Sequence, residues 1–513
     1  GPHLGERATK DFVLEHVFGI AVDLIRSPVD LMKTLPSRHY RSVTFPKTLD
    51  DHVVASLRNK AIFNTWPLED IVPDRELFFK FLQREWKQYV TGGLREESTV
   101  VPFGDYDIRV YMDTLFAEGR LEQVDVETVE GLPDWVLPGV SFDRQANDAR
   151  RLAWLLQEIR RSLPEASASH RDWQHTAVLW AEMQVLRFKL NIDSVAENEI
   201  EQLHDEVEDR FARWMLARYG SLASLPYTER PVMVHHVSRH LAYQRAKGLV
   251  GRVALLVIDG PSLDQWLIIR DFMREKHPAW RIEAGQVFAW VPTLTSVSRQ
   301  SLFAGDPPMY LEKAIMSTSK EESLWYRLWE DSGVGGDRVY YAKSWDDSKL
   351  QESRDLLEQR PEVVGLVIDK VDRILHGMEL GIPGMHQQVR LWVEQGWIGD
   401  FIDFLLKNQY TVFLTSDHGN IAAKGVGKLQ DGILSEVRGE RARVYGTEVL
   451  RKQMMEKAPG AIAWPGVGLP HGYCVLLASG RTAFVQEGQE TVTHGGISLE
   501  EVVVPFVKIW EGR

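Results

Sequence analysis

The chain has one cysteine in 513 residues, Cys474, so an internal disulfide is excluded. Its place in the apolar run YCVLLAS is that of a small buried hydrophobe, and a reducing, cytoplasmic setting is expected. No stretch approaches the ~18 uninterrupted apolar residues of a membrane helix, and the N-terminus lacks a charged-then-apolar signal pattern, so no membrane partner is expected. Positive charge is short as well: 60 Lys plus Arg stand against 73 Asp plus Glu, a formal net charge of −13. Non-specific grip on duplex DNA draws its affinity from Lys and Arg on phosphates, so a broad basic surface is excluded while a local positive site is not. With 44% apolar and 26% charged residues, collagen-like, disordered and disulfide-scaffold classes drop out. The opening Gly-Pro-His, without Met, reads as a cleaved-tag remnant, compatible with excision from a longer chain, and is left out of the fold reading.

What remains divides into three textures, in line with the length. Residues 1–140 read as a mixed α/β N-terminal region, with short helical patterns between Pro and Gly breaks. In DFVLEHVFGIAVDLI, Phe12, Val13, Val17, Ile20 and Leu24 approximate a 3.6-residue period and predict one buried face. Residues 141–249 read as a helical region. RLAWLLQEIRRSL places Leu152, Leu155, Leu156 and Ile159 on one face, and AENEIEQLHDEVEDRFARWMLARYG does the same with Ile200, Leu203, Val207, Phe211, Trp214 and Met215. Acids at the start of the latter and arginines at its end suit the helix dipole.

From residue 250 to 513 short β-branched runs take over: RVALLVI, EVVGLVI, YTVFLTS, GYCVLLA and RTAFVQ. Such runs separated by helix-length segments predict an α/β fold, a parallel sheet sandwiched by helices, whose ligands gather at the carboxyl ends of the strands. VALLVI runs into Asp259. VVGLVI runs into Asp369 and then Asp372 and His376, four apart and so on one helix face. TVFLTS runs into Asp417, His418 and Gly419, and THGGISLEEVVVP presents His494. Taken singly, each has a bland account as a helix cap, a turn former or a surface pair. Taken together, they form a carboxylate and imidazole set large enough for two divalent ions, zinc first and manganese second. Two ions about 4 Å apart hold the attacking and leaving oxygens of an in-line displacement at phosphorus.

A nucleophile appears in WVPTLTSVSRQSLFAG, where a strand-to-helix turn is expected near Thr293 to Ser296. A hydroxyl there sees the positive end of the helix dipole, which also draws phosphate. Arg299, one turn on, is a candidate to face the phosphate.

These segments resemble a known family. IDG at 258–260, PTLTSVSRQSLFAG at 292–305, IDKVDRILHG at 368–377, SDHG at 416–419 and HGGISLEEVVVPFV at 494–507 are similar to the PglZ domain, a branch of the alkaline phosphatase superfamily. DFVLEHVFGI and LEDIV resemble the N-terminal part of PglZ proteins from bacterial BREX phage-defence systems. The resemblance covers about half the chain and implies roles position by position. One metal is implied to sit on Asp259, Thr295, Asp417 and His418, and the other on Asp372, His376 and His494. Thr295, the second Thr of the PTxT pattern, is the implied nucleophile, with Arg299 beside it.

The implied activity is that of a two-metal phosphodiesterase or nuclease on a nucleotide or oligonucleotide, working with other BREX-type defence proteins. A phosphomonoesterase and a metal-stabilised scaffold subunit are the alternatives. Members specialised for monoesters carry extra cations, and none besides Arg299 is assignable, which favours a diester. His471 has no place in the set, and Lys424 and Lys428, in the glycine-rich AAKGVGKLQDG, are expected on a loop flanking the site. Three carboxylates against two divalent ions leave the pocket at about +1 by simple count, so the site attracts anions that the remaining surface repels.

Overall fold

The computed structural model describes residues 5–40, 45–126, 131–141, 144–190, 192–349, 360–429 and 439–511. The chain packs as two compact units, Gly1–Trp154 and Leu155–Arg513.

In the first unit Pro and Gly separate a series of helices, among them Glu6–Phe18, Pro28–Tyr40, Lys47–Arg58, Arg75–Thr91 and Tyr106–Ala117. The side chains of Asp74 and Asp105 begin the last two by accepting first-turn N–H bonds. Strand structure among the described residues is one parallel pair of two-residue segments, 124–125 with 140–141. The expected mixed α/β region is thus almost wholly helical, because its breaks divide helix from helix. The face predicted for the first helix is also corrected. Phe12, Val17 and Leu24 are exposed while Leu14 is buried. Gly19 ends the helix in a left-handed turn, so the period cannot run on to Leu24.

The second unit contains α1 (His170–Lys189), α2 (Ser194–Arg218), α3 (Val234–Ala246), α4 (Leu263–Lys276), α5 (Thr295–Ala304), α6 (Glu321–Asp331), α7 (Lys370–His376), α8 (Gly381–Glu394), α9 (Trp397–Lys407) and α10 (Leu499–Val502). The predicted stripe of α2 is buried from Ile200 to Met215. Its strands include β1 (Arg252–Ile258), β2 (Trp280–Phe288), β3 (Val339–Ala342), β4 (Val363–Ile368), β5 (Tyr410–Ser416), β6 (Ile421–Gly425), β7 (Ala442–Tyr445), β8 (Cys474–Leu477), β9 (Glu490–Thr493) and β10 (Val503–Glu511).

Six of these form the central sheet in the order β2-β10-β5-β1-β4-β3. Neighbours β5, β1, β4 and β3 are parallel, while β10 runs antiparallel to both β2 and β5. The α/β architecture with a mostly parallel sheet flanked by helices is therefore present, with one reversed strand. Residues Val253 to Ile258 of β1 are fully buried, as a strand covered on both faces requires. Two expected strands lie elsewhere. CVLL is β8, in a small antiparallel sheet with β7, and RTAFVQ contributes only Thr482–Ala483, paired with β6. An apolar run reports burial, and it does not report which sheet does the burying.

Candidate active site

Register brings the chemistry together. Ile258 of β1 pairs with Ile368 of β4 and with Ser416 of β5, so three parallel strands end level and release Asp259, Asp369 and Asp417 at one edge. Asp369 leads into α7, which carries Asp372 in its first turn and His376 at its end. After Asp417 and His418 the chain continues as β6, and β9 pairs back along it with Thr493 opposite Ile421. The hairpin-like return sets His494 beside His418.

The structure gathers the sequence-predicted residues into two clusters, Asp259 with Asp417 and His418, and Asp372 with His376 and His494. Within each, the potential ligand atoms lie within 4.8 Å of one another. The rings of His418 and His494 stack at 4.0 Å and 11°, joining the clusters. His418 Nδ1–H donates to the Gly419 carbonyl at 3.0 Å, and His494 Nδ1–H donates to that of Thr293 at 2.7 Å. Each backbone carbonyl fixes a tautomer and leaves Nε2 with its lone pair directed into the site. Burial, together with neighbouring His418, lowers the His494 pKa to about 3, so its ring is neutral at physiological pH. Asp372 is pulled down to about 2 despite burial, chiefly by His376, whose Nε2 lies 3.1 Å from its Oδ1. Asp417 moves the other way, raised by burial and by the charge of Asp259.

A divalent metal pair fits these residues on an observation internal to the protein. His494 Nε2, Asp259 Oδ1 and Asp417 Oδ2 are all buried, and none has a hydrogen-bond partner. Buried acceptors left this way cost about 1–3 kcal/mol each. An undonated imidazole nitrogen in one cluster and two undonated carboxylate oxygens in the other are acceptors suited to a cation in each.

Thr295 opens α5, and its hydroxyl donates to His418 Nε2 at 3.0 Å. Thr293 is differently engaged: its hydroxyl donates to the Gly496 carbonyl at 3.1 Å and accepts from Gly495 N–H at 2.9 Å. Of the two threonines, only Thr295 presents its hydroxyl to a cluster. Arg299 sits one turn further on but faces inward. Its guanidinium donates to Asp259 and, at 3.1 Å, to Glu321, and lies 3.9 Å from Asp417. At 5% exposure its guanidinium is buried against these carboxylates. The i+4 spacing placed it on the correct turn but did not set its direction.

Several supporting residues escaped the sequence reading. Glu321 accepts from Arg299, from the Tyr341 hydroxyl at 2.7 Å and pairs with Lys343 at 3.1 Å. Gln265 and Asn420 exchange amide hydrogen bonds at 2.9 Å, and Asn420 also donates to the Gly260 carbonyl at 2.8 Å, binding the loop after β1 to that after β5. Glu501 accepts from Gly496 N–H, Ser498 and Arg441, which holds the His494 loop. Asn420, directly after Asp-His-Gly, was the one local signal available. Lys424 is exposed on β6, not on a loop, while Lys428 and His471 are exposed beyond strands. Residues 430–432 of the glycine-rich segment lie outside the described residues.

Residues 237–509 match the family model described as the BREX system PglZ alkaline phosphatase-like domain. The chain belongs to the PglZ family. Among solved structures, this PglZ protein is similar to murine ectonucleotide pyrophosphatase/phosphodiesterase 5, at 12% identity and TM-score 0.36, covering 50% of this chain and 87% of that one. The human protein of the same name gives 12% identity and TM-score 0.33 over the same shares. Phosphonoacetate hydrolase from Sinorhizobium meliloti 1021, in complex with phosphonoformate, gives 13% and 0.32, covering 50% and 90%. No curated protein matches the chain. No helix among the described residues is long and apolar enough to cross a membrane.

Proposed function

We propose that this PglZ protein is a two-metal phosphodiesterase or nuclease, with residues 250–513 as its catalytic region and Thr295 as nucleophile. The observation that carries the reading is the pairing of two ligand clusters through stacked His418 and His494, with the Thr295 hydroxyl 3.0 Å from His418. Zinc, or manganese in its place, would be held by Asp259, Asp417, His418 and Thr295 on one side and by Asp372, His376 and His494 on the other. When bound, such ions polarise phosphate oxygens and activate a hydroxyl nucleophile.

The chain's own residues do the remainder. The N-terminus of α5 offers amide N–H groups to a phosphate next to Thr295. Gly419 and Thr293 carbonyls hold the two imidazoles as Nε2 ligands. Arg299 is a positioning residue that offsets the charge of Asp259 and Asp417 from behind. With Arg299 committed inward, the one cation assigned for a monoester dianion is withdrawn, which supports a diester. The substrate we favour is a nucleotide or oligonucleotide, and the partners are other BREX-type defence proteins in the cytoplasm.

Hydrolysis of bis-(p-nitrophenyl) phosphate tests the reading. Thr295→Ala and His418→Ala should each abolish it, and full activity in either would remove the assignment. A higher efficiency on the matching monoester would replace diesterase by monoesterase.

A further inference from the structure

Behind the candidate active site a third group of ligand-type side chains is enclosed by α2 and the start of α10. His204 and Glu208, one turn apart on α2, converge on Glu500, with potential ligand atoms within 4.8 Å of one another. His204 is 4% and Glu208 7% exposed. One oxygen of each carboxylate is engaged: Trp180 Nε1–H donates to Glu500 Oε1 at 2.8 Å, and Leu499 N–H donates to Glu208 Oε1 at 3.2 Å. Glu500 Oε2 has no hydrogen-bond partner, and neither does either ring nitrogen of buried His204.

The His204 contact is informative. Its Nε2 lies 2.8 Å from Glu500 Oε1, close enough for a hydrogen bond, yet out of line for one. Two ligands of a single ion come this close without sharing a proton, because bonds of about 2.0–2.2 Å meeting at roughly 90–109° leave their donor atoms about 2.8–3.6 Å apart. Charge points the same way. Two carboxylates face one imidazole, and burial with the charge of Glu500 pushes Glu208 well above the usual carboxylate range. Despite burial His204 holds Glu500 low, and Arg441 acts on Glu208, yet Glu208 stays raised, so the group is short of positive charge that a cation would supply.

We propose that His204, Glu208 and Glu500 bind a further divalent cation of the class that takes nitrogen and carboxylate ligands, separate from the two active-site clusters and structural in role. The ion would pin α2 to the Glu500–Glu501 segment. That segment abuts the turn carrying His418: Gly419 N–H donates to the Glu501 carbonyl at 2.9 Å, and a Cβ at Gly419 would overlap the Glu500 carbonyl. An ion here would thus hold the Asp417-His418-Gly419 turn without touching substrate.

Metal content of the full chain, loaded with Zn²⁺ or Mn²⁺ and gel-filtered, decides. Wild type should carry three equivalents and Glu208→Gln, which keeps the acceptor for Leu499 N–H, should carry two. Asp372→Asn combined with Asp417→Asn disables both active-site clusters and should retain one. A full complement in Glu208→Gln, or none in the double variant, would overturn the proposal and leave a protonated Glu208 as the explanation. If Glu208→Gln fails to fold, the double variant decides alone. A wild type with one equivalent, retained in the double variant, would support this site while removing the two-metal active site, so the two readings fail separately.

Discussion

Replacing Arg299 by Met removes a charge from the floor of the site while keeping most of the side-chain volume. In the metal-free protein three carboxylates then lose a buried cation. Asp259 and Glu321 lose direct hydrogen bonds and Asp417 loses a charge at 3.9 Å. All four side chains are at most 7% exposed, so solvent cannot substitute. Breaking a buried pair from one side costs about 3–5 kcal/mol. Glu321 keeps the Tyr341 hydroxyl and Lys343, so most of that cost falls on Asp259 and Asp417.

These are the two carboxylates that a divalent ion would neutralise. The variant should therefore lose about 3–5 kcal/mol in EDTA but only about 1–2 kcal/mol in saturating Mn²⁺, in which Glu321 alone is short of a partner. At the 1–2 °C per kcal/mol suited to a unit of this size, melting followed by circular dichroism should show a drop of about 5 °C with chelator and about 2 °C with metal. Equal losses under both conditions would refute the placement of metal on Asp259 and Asp417. In kinetics, the proposed roles predict that kcat falls while KM changes little, because Arg299 meets Asp259 and Asp417, the proposed metal ligands.

Other perturbations follow from the same geometry. Chelation should lower the melting temperature of wild type, and returning zinc or manganese at about a thousand times Kd should restore about 4 kcal/mol for each ion bound, so the Asp372→Asn and Asp417→Asn double variant should regain only the share of the His204, Glu208 and Glu500 site. Asn420→Ala strands the Gln265 amide and frees the Gly260 carbonyl; a loss of about 1–3 kcal/mol in urea titration is expected, with diester hydrolysis reduced. Gly419→Ala should fail to fold or lose all activity, since its Cβ would overlap the Glu500 carbonyl; near-normal turnover would contradict the packing.

Acid should destabilise the second unit through α3. His236 accepts at Nδ1 from Met233 N–H and points Nε2–H at the Ala223 carbonyl, and burial lowers it from 6.5 to about 4. His240 is lowered likewise by burial. A depressed imidazole stabilises fully above pH 6.5 and loses that contribution as pH falls toward 4. At pH 5 each should cost about 2 kcal/mol, seen as a fall in melting temperature that His236→Gln lessens.

The metal-type residues were legible because parallel strands of equal register must deliver whatever follows them to one edge, and Asp259, Asp417 and the Asp372–His376 pair follow apolar runs directly. His494 and Thr295 came through motif and turn position. The direction of Arg299 was not legible, since it depends on Glu321, twenty-two residues on and reached only through the fold. Gln265 and Asn420 are 155 residues apart and meet only because β1 and β5 are neighbours. The exposure of Phe12 and Val17 escaped the period because a hydrophobic stripe identifies a helix more readily than it identifies which side is covered.

The reversed strand β10 has a consequence for how the molecule comes into being. β2, encoded more than two hundred residues earlier, joins the sheet through β10, which inserts between it and β5. During synthesis the early strands β1, β4 and β5 can zip together, but β2 waits without a ladder until Val503–Glu511 leaves the ribosome. His494 and the loop held by Glu501 arrive in the same final stretch. Sheet closure and completion of the ligand set are then one late event, and chains that terminate early should be sticky at an open strand edge and catalytically silent.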